Sequence, residues 1–306
     1  MSTSQTIELP EVTIEDIEVL ADDLDVASAA EIYNEYGCLV VRGLMRPYIE
    51  EIARDIEATC DQSISLLDQA TVVPDIGWTT PNGTLFLPAP ENYKRDKQIM
   101  VVGIGYSTSA VFFRSAFDKK ALDIVEAILG PSIELFGGGQ CLVKEPVGGH
   151  PKNLHQDSAY FEHQFEGPVG ILSYVVDTDL VNGALHVVPG SKNLGQLTHI
   201  DTFSHLGLDP NDWPWERALP ICGNAGDSIF FHVRCIHGSK QNHSDKRRPI
   251  FINRYRHPDD NTIVSAATVA KREEADKRKE EAKNKEEAKK ENQRGLMVRG
   301  FRPYEG

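Results

Sequence analysis

The sequence has no long hydrophobic run and no concentration of basic residues. No apolar stretch approaches the roughly eighteen residues that a membrane-spanning helix requires, so we expect no membrane association. The 306 residues carry a formal net charge of −14, and without clustered lysine and arginine for phosphate contacts nucleic acid is not an expected partner. The acidic start of the chain lacks the basic residues and the apolar stretch of a signal peptide.

Cysteine is scarce, odd in number and never spaced as Cys-x-x-Cys. The five cysteines are Cys38, Cys60, Cys141, Cys222 and Cys235. Three of them, Cys38, Cys141 and Cys235, lie in apolar runs that resemble strands. This usage favours buried free thiols in a reducing compartment, and we therefore expect a cytoplasmic protein.

The first 130 residues combine helical patterns with irregular stretches. The helical patterns cover 27–36, 47–66 and 121–131. Gly37 ends the first helix, and the β-branched run CLVVRGL at 38–44 predicts a short strand. Segments 1–26 and 70–110 are expected to be irregular, and the second of these should supply substrate loops.

The character of the sequence changes after Pro131, where short strand-like runs recur between turn residues. The runs are SIELFGG, QCLVKEP, VGILSYVVD, ALHVVPG, DSIFFHV and PIFINRY. Closely spaced short strands are typical of a sandwich or barrel and not of βαβ units. The expected fold class is therefore mainly β with flanking helices.

The C-terminal segment 271–294 is almost wholly charged and shows repeated i,i+4 pairs of glutamate with lysine or arginine. This pattern predicts a long solvated helix, and a partner-binding or lid helix is the alternative. We expect one domain over 1–306, organised as a helical part with substrate loops, a β core, and a charged helix with its tail: 1–130, 131–257 and 262–306.

A candidate metal site lies in the segment NLHQDSAY. His155 and Asp157 follow a predicted strand, and His237 ends a later one, within GDSIFFHVRCIHGS. Two histidines and one carboxylate suit Fe(II) when three coordination positions must stay open. Arg248, eleven residues beyond His237, can bind a distant carboxylate in a bidentate manner, and Ser239 can add a hydroxyl.

Other histidines compete for the same role. His199 and Asp201 form a second His-x-Asp pair, but no ordered partners accompany it, so we interpret it as a solvated turn. His186 and His232 lie inside strand runs and are expected to be packed or hydrogen-bonded. If residues 228–236 form one strand, His232 and His237 point to opposite faces.

Taken in order, these segments resemble the phytanoyl-CoA dioxygenase family of non-haem Fe(II)/2-oxoglutarate-dependent oxygenases. The resemblance rests on YGCLVVRGL, LVKEP, HQD, NGALHVVPGSK and GDSIFFHVRCIHGSKQN followed by Arg248, over roughly residues 30–256. It implies a double-stranded β-helix, or jelly-roll, core. It also implies His155, Asp157 and His237 as iron ligands.

The resemblance further implies a co-substrate site and a reaction type. Arg248 and Ser239 would bind the 5-carboxylate of 2-oxoglutarate, and Gln140 would also touch the co-substrate. Lys144 lies in the family's Lys-Pro region, here Lys-Glu-Pro, and Tyr174 stands near the position of a family tryptophan. Related halogenases lack the carboxylate ligand, so Asp157 implies hydroxylation or a related oxidation instead of halogenation.

We therefore expect an enzyme that uses Fe(II), 2-oxoglutarate and O₂ to oxidise a small molecule. One alternative is a non-redox metal enzyme on the same barrel, for example with Zn²⁺, and another is a non-catalytic binding protein acting through its C-terminal helix. Trp78, Arg114, Arg256 and His257 are candidate substrate contacts, although ordinary surface positions explain them equally well.

Overall fold

The computed structural model describes residues 9–74, 76–202, 205–263 and 297–299. It contains four α-helices: α1 Val26–Tyr36, α2 Ile49–Ser65, α3 Ala110–Ser115 and α4 Lys119–Leu129. The Asp25 side chain caps α1 by accepting from the Ser28 backbone N–H at 2.9 Å. Gly37 ends this helix with φ 72°, a left-handed conformation that glycine adopts without steric cost. The helices predicted at 27–36, 47–66 and 121–131 are thus present, with bounds shifted by a few residues.

Strands make up most of the remaining regular structure. The strands are β1 Glu18–Leu20, β2 Cys38–Arg42, β3 Thr71–Val73, β4 Gly77–Thr79, β5 Leu85–Pro88, β6 Lys97–Val102, β7 Ile133–Leu135, β8 Gln140–Lys144, β9 Lys152–His155, β10 Val169–Tyr174, β11 Leu185–Val187, β12 Ile200–Thr202, β13 His205–Gly207, β14 Leu219–Ile221, β15 Ser228–His232, β16 His237–Ser239, β17 Arg248–Arg256 and β18 Met297–Arg299. Every strand predicted after Pro131 is present, which confirms the mainly β fold class.

Two sheets form the jelly-roll core. The larger sheet has twelve strands, with β1-β2-β15-β10-β17-β8-β6-β5-β4-β3 as its main path, and β7 joins β17 to β18. The smaller sheet has the order β14-β11-β16-β9. Apolar side chains of both sheets share one buried cluster, in which Leu172, Phe231 and Ile252 of the larger sheet meet Leu185 and Ile221 of the smaller one. The outer face of the larger sheet packs against α1, α2 and α4.

The longest strand, β17, connects the two ends of the interior. It pairs with β10 on one side and with β8 on the other, both antiparallel. Successive side chains of a strand point to opposite faces, so alternate residues from Arg248 to Arg254 face the interior while Phe251 and Tyr255 pack in the outer cluster. One strand therefore places side chains along the whole length of the interior.

Two expectations of irregular structure were wrong. Segment 70–110 contributes the strands β3, β4, β5 and β6, which extend the larger sheet. The segment 1–26 contains β1, which pairs in parallel with β2, and a 3₁₀ turn at Ala21–Asp23. These strands are short and half exposed, and glycine and proline interrupt them, so their sequences lack a clear alternation.

The single strand expected at 228–236 was also wrong. β15 ends at His232, the chain turns, and β16 begins at His237 in the smaller sheet. A backbone hydrogen bond of 2.8 Å from Cys235 to His232 closes the turn. His232 and His237 therefore lie on different sheets, and their separation does not come from the alternation of one strand.

Cys38, Cys60, Cys141 and Cys235 are buried free thiols, as predicted, whereas the free thiol of Cys222 is exposed. The charged helix predicted at 271–294 lies outside the described residues. Within the described part of the chain, we find no helix with the length and hydrophobicity of a transmembrane segment.

Candidate active site

The two strands β9 and β16 bring the candidate metal ligands together. His155 is the last residue of β9, His237 is the first residue of β16, and the two are paired directly across the antiparallel ladder. Asp157 begins the 3₁₀ turn that follows β9. One potential ligand atom from each of the three residues lies within 4.8 Å of the others, and all three residues are buried.

The tautomers of both imidazoles are set by backbone carbonyls. Nδ1 of His155 lies 2.7 Å from the Asn153 carbonyl oxygen, and Nδ1 of His237 lies 2.9 Å from that of Cys235. Each Nδ1–H therefore donates to a carbonyl, and each Nε2 keeps its lone pair. These two Nε2 atoms lie 3.5 and 3.6 Å from Oδ1 of Asp157. Three potential ligand atoms thus converge on one point.

The protonation states of the site also suit a metal. Burial lowers the pKa of His237 to about 4, and the neighbouring His155 ring lowers it too. Burial alone would raise the pKa of Asp157, but the adjacent His155 and His237 rings and the Arg254 guanidinium hold that pKa well below its ordinary value. A neutral imidazole and a carboxylate are the forms that bind a divalent cation.

The residue between the two ligands is held from several directions. The backbone N–H of Gln156 donates to Nε2 of His199 at 2.9 Å, and the Gln156 amide donates to the carbonyls of Gly195 and Arg234, each at 2.8 Å. His199 is half-buried and is part of this support, so the expectation of a solvated turn was wrong for it. Asp201 is exposed on β12 and lies apart from the site.

A cavity of about 330 Å³ lies between the sheets and contains the triad. Its walls come from β6, β8, β9, β10, β11, β15, β16 and β17, together with the loops around His150 and Phe161. Most of the lining is apolar, with Leu172, Phe231 and Ile250 along its length. Ligand sites in proteins have this mixture of hydrophobic walls and a few convergent polar groups.

Arg248 lies at one end of the cavity, six residues along β17 from Arg254, and we call this the closed end because Arg248, Lys144 and Ser239 are all buried there. It is 3% exposed and donates to the carbonyls of Gly183 and, at 3.4 Å, Asn182. Among the described residues no carboxylate forms an ion pair with it, and burial lowers the pKa of this guanidinium to about 10. A buried cation without a counter-ion is costly, and an anionic ligand at this position would offset that cost.

Two further polar residues surround Arg248. Ser239 lines the cavity at the end of β16 and is 8% exposed. Lys144 is paired with Arg248 across the β8–β17 ladder and donates to the His150 carbonyl. Burial and the neighbouring Arg248 lower the pKa of Lys144 well below its ordinary value. Arg248, Ser239 and Lys144 thus form one polar group at the closed end.

Gln140 lies nearer the triad than the closed end. It begins β8 and is paired with Ile252, four positions along the ladder from the Lys144–Arg248 pair. Its Oε1 accepts from Nη2 of Arg254 at 3.1 Å. Arg254 also lies 3.6 Å from Oδ2 of Asp157. Arg254 was not among the residues predicted from the sequence, although the inward alternation from Arg248 along β17 could have revealed it.

Several other candidates lie away from the cavity. Arg114 is exposed and pairs with Glu51, Arg256 is buried against Glu134, and Trp78 packs beside the core with Lys97 over its ring. Tyr174 does not line the cavity, because its hydroxyl donates to the Ile221 carbonyl at 2.7 Å inside the core. Each of these contacts accounts for its residue structurally.

The remaining strand histidines are packed, as predicted. Nδ1 of His186 hydrogen-bonds the Ala184 carbonyl at 3.0 Å. Nδ1 of His232 accepts from the Arg234 backbone N–H at 3.0 Å, and its Nε2 lies 3.0 Å from Glu166. Neither ring faces the triad.

Comparison with solved structures supports the jelly-roll fold. A non-haem monooxygenase, apo ThoJ, superposes with a TM-score of 0.58 and 17% identity, covering 91% of this chain and 85% of that one. The non-haem alpha ketoglutarate dependent carbocyclase SnoK from nogalamycin biosynthesis gives a TM-score of 0.58 and 18% identity, covering 83% and 93%.

Sequence comparison identifies the family. A probable alpha-ketoglutarate-dependent hypophosphite dioxygenase from Stutzerimonas stutzeri is 29% identical over 45% of this chain and 50% of its own length. The chain thus spans about half the length of that curated relative. The peroxisomal phytanoyl-CoA dioxygenase of Bos taurus is 26% identical over 70% of this chain and 63% of its own length. The family model described as Phytanoyl-CoA dioxygenase (PhyH) matches residues 33–250, and the chain therefore belongs to this family.

Proposed function

We propose that the protein is an Fe(II)- and 2-oxoglutarate-dependent oxygenase that hydroxylates, or otherwise oxidises, a small-molecule metabolite or natural-product intermediate. The observation that carries the proposal is the buried guanidinium of Arg248, which has no carboxylate partner among the described residues and lies at the closed end of a cavity that also contains a His/Asp/His triad. A metal alone would not need this cation. A dicarboxylate that chelates the metal through one end would need a cation such as Arg248 to bind the carboxylate at its other end.

His155, Asp157 and His237 would hold the iron. Their arrangement suits a metal bound on one face by two imidazoles and a carboxylate, with the opposite positions open to 2-oxoglutarate and O₂. The bound iron would supply the oxidising chemistry, with decarboxylation of 2-oxoglutarate to succinate and CO₂. The carbonyls of Asn153 and Cys235 keep both Nε2 atoms directed at the metal position.

The closed end of the cavity would hold the co-substrate. Arg248 would bind the 5-carboxylate through its two-pronged guanidinium, with Ser239 donating its hydroxyl to the same group. Lys144 lies beside Arg248 and adds a donor to this group. Gln140 lies at the triad end, so it would reach the part of 2-oxoglutarate that chelates the metal.

The relatives support the reaction class. One is named as an alpha-ketoglutarate-dependent hypophosphite dioxygenase, and an L-proline trans-4-hydroxylase from Streptomyces griseoviridis is 26% identical over 45% of this chain. The carboxylate ligand Asp157 favours oxygenation over halogenation, because it occupies the coordination position that a halide would need.

The test is the visible spectrum of the protein with Fe(II) and 2-oxoglutarate in the absence of oxygen. We expect a weak charge-transfer band when the co-substrate chelates the iron, and its loss in His155→Ala. His257→Ala is the matched control, because this histidine is half exposed and does not line the cavity. When air is then admitted, succinate should form from 2-oxoglutarate only in the proteins that show the band.

The outcome also separates the alternatives. A protein that binds Fe(II) or Zn²⁺ without forming the band would be a non-redox metal enzyme, and Arg248 would then serve another anion. A protein that binds no metal at either His155 or His237 would contradict the proposal altogether, and a non-catalytic binding role would be favoured.

A further inference from the structure

The walls of the cavity carry more positive than negative charge. The charged lining residues are Asp157, Lys144, Lys152, Arg248 and Arg254. If the proposed function is correct, the charges of Fe(II) and the 2-oxoglutarate dianion cancel. Asp157 then balances one of the four basic groups, and Arg248 and Lys144 belong to the co-substrate end. Lys152 and Arg254 remain, and because Asp157 balances only one of them, this part of the cavity keeps one excess positive charge.

Arg254 lies too far from Arg248 to share its ligand. The two residues are six positions apart on β17, a distance of roughly 20 Å along an extended strand. Arg254 instead lies beside the metal position, with Nη2 3.6 Å from Oδ2 of Asp157. A co-substrate that spans from the triad to Arg248 therefore leaves Arg254 for another ligand.

The contacts of Arg254 leave part of its guanidinium unused. Its Nε is buried without a hydrogen-bond partner, and Nη2 donates to the neutral amide of Gln140 at 3.1 Å. Its separation from Asp157 exceeds a normal hydrogen-bond length. The guanidinium carbon also lies 5.7 Å from the centre of the Phe161 ring, within the range of a cation–π contact. An arginine that only positioned Asp157 would be expected to hydrogen-bond it directly.

The surroundings of Arg254 suit a small organic acid. Phe161 and Met100 provide apolar surface in the same cavity, and Lys152 adds a second cation next to Tyr160. The Lys152 ammonium donates to the Tyr160 hydroxyl at 2.6 Å, so these two polar groups lie together in the cavity wall. The cavity of about 330 Å³ must also contain 2-oxoglutarate, which limits the size of the substrate.

We propose that the primary substrate is a small carboxylic acid whose carboxylate is bound by Arg254, with Lys152 on the facing wall, so that a C–H bond of the substrate lies beside the metal. This inference rests on the proposed function and narrows its substrate class. The flat, two-pronged guanidinium matches a carboxylate, and the buried Nε is the donor that this contact would satisfy.

The test uses the oxygen-free complex with Fe(II) and 2-oxoglutarate, whose visible band responds to a molecule bound beside the metal. A series of small carboxylic acids is titrated against wild-type protein, each acid paired with its own primary amide. We expect at least one acid to shift the band while its amide does not. Arg254→Gln should weaken that response by about tenfold or more, because a charge-assisted contact is lost. The acid response of Arg254→Lys should be intermediate between those of wild type and Arg254→Gln.

Two controls separate this role from a structural one. Arg114→Gln removes the same charge from an exposed site and should leave the response unchanged. Because Arg254 also donates to Gln140 and lies 3.6 Å from Asp157, the acid response of Arg254→Gln is measured at a 2-oxoglutarate concentration that saturates the band of that variant. If that variant loses the band in parallel with the acid response, Arg254 positions Asp157 and the substrate inference is overturned.

Three other outcomes also overturn the inference. An acid response that persists in Arg254→Gln would place the anion on the metal or on Lys152. Equal responses to an acid and its amide would show that charge is not recognised, and the absence of any acid response in wild-type protein would exclude the site. Absence of the band in wild-type protein, in contrast, would contradict the proposed function before the substrate is addressed.

Discussion

Replacing Arg248 with methionine should separate binding from stability. Methionine fills a similar apolar volume but leaves the 5-carboxylate of 2-oxoglutarate without its cation. Truncating one partner of a buried, hydrogen-bonded charge pair costs about 2–5 kcal/mol of binding free energy. At about 1.4 kcal/mol per tenfold, the dissociation constant for 2-oxoglutarate should rise roughly 30- to 4,000-fold.

The same substitution should not destabilise the protein without its ligand. Arg248 is buried with only backbone carbonyls as acceptors, and burial lowers the pKa of its guanidinium to about 10. Replacing a buried charge that lacks a counter-ion removes a desolvation cost. The free energy of unfolding of Arg248→Met, measured without metal or 2-oxoglutarate, should therefore equal or exceed that of wild type.

The assay is a titration of 2-oxoglutarate against the oxygen-free Fe(II) protein, paired with chemical denaturation. Arg247→Met is the matched control, because Arg247 is adjacent to Arg248 in the sequence but pairs with Glu57 and Glu145 instead of lining the cavity. This control should lose stability and keep its affinity for 2-oxoglutarate. Wild-type affinity in Arg248→Met, or an unfolding free energy clearly below that of wild type, would refute the reasoning.

Three further predictions concern buried polar groups. Burial lowers the pKa of His232 to about 4, so between pH 6.5 and 4 the unfolded state binds a proton that the folded state does not bind. The free energy of unfolding should therefore decrease as the pH is lowered from 6.5 to 4. Denaturation curves of His232→Phe should show a weaker pH dependence. Arg95→Ala should cost about 3 kcal/mol of unfolding free energy, because the fully buried Glu145 loses its closest cation at 2.7 Å. Tyr174→Phe should cost about 1–3 kcal/mol, because two buried backbone groups lose their partner, and it should leave 2-oxoglutarate affinity unchanged.

The sequence could predict the core strands because their apolar runs are buried on both faces. Strands such as β10 and β15 read as nearly continuous hydrophobic segments, and this signal does not depend on their neighbours. The order of HQD, the later histidine and the arginine likewise appears directly in the sequence. The direct pairing of His155 with His237 does not, because it arises between strands of three and four residues in a separate sheet.

The elements that were missed have weak local signals. Strands β3 to β6 gain their stability by extending an existing sheet, and Val72 in β3 is 70% exposed, so no hydrophobic alternation marks them. The support of Gln156 by His199 joins residues 43 positions apart and depends on a loop conformation. Pairings of this kind follow from tertiary packing and have no period in the sequence.

The alternation along β17 has a consequence for how specificity can change. Because Arg248 and Arg254 lie on one continuous strand, the spacing between the co-substrate end and the proposed substrate cation is set by strand geometry. The β8 and β10 ladders on both sides of β17 hold that spacing fixed. Changes in substrate size must therefore come from the facing wall, where Lys152, Tyr160 and Phe161 lie in short elements and loops. Substitutions there should change which substrates are oxidised and leave the affinity for 2-oxoglutarate intact, whereas substitutions at the Arg248 end should do the reverse.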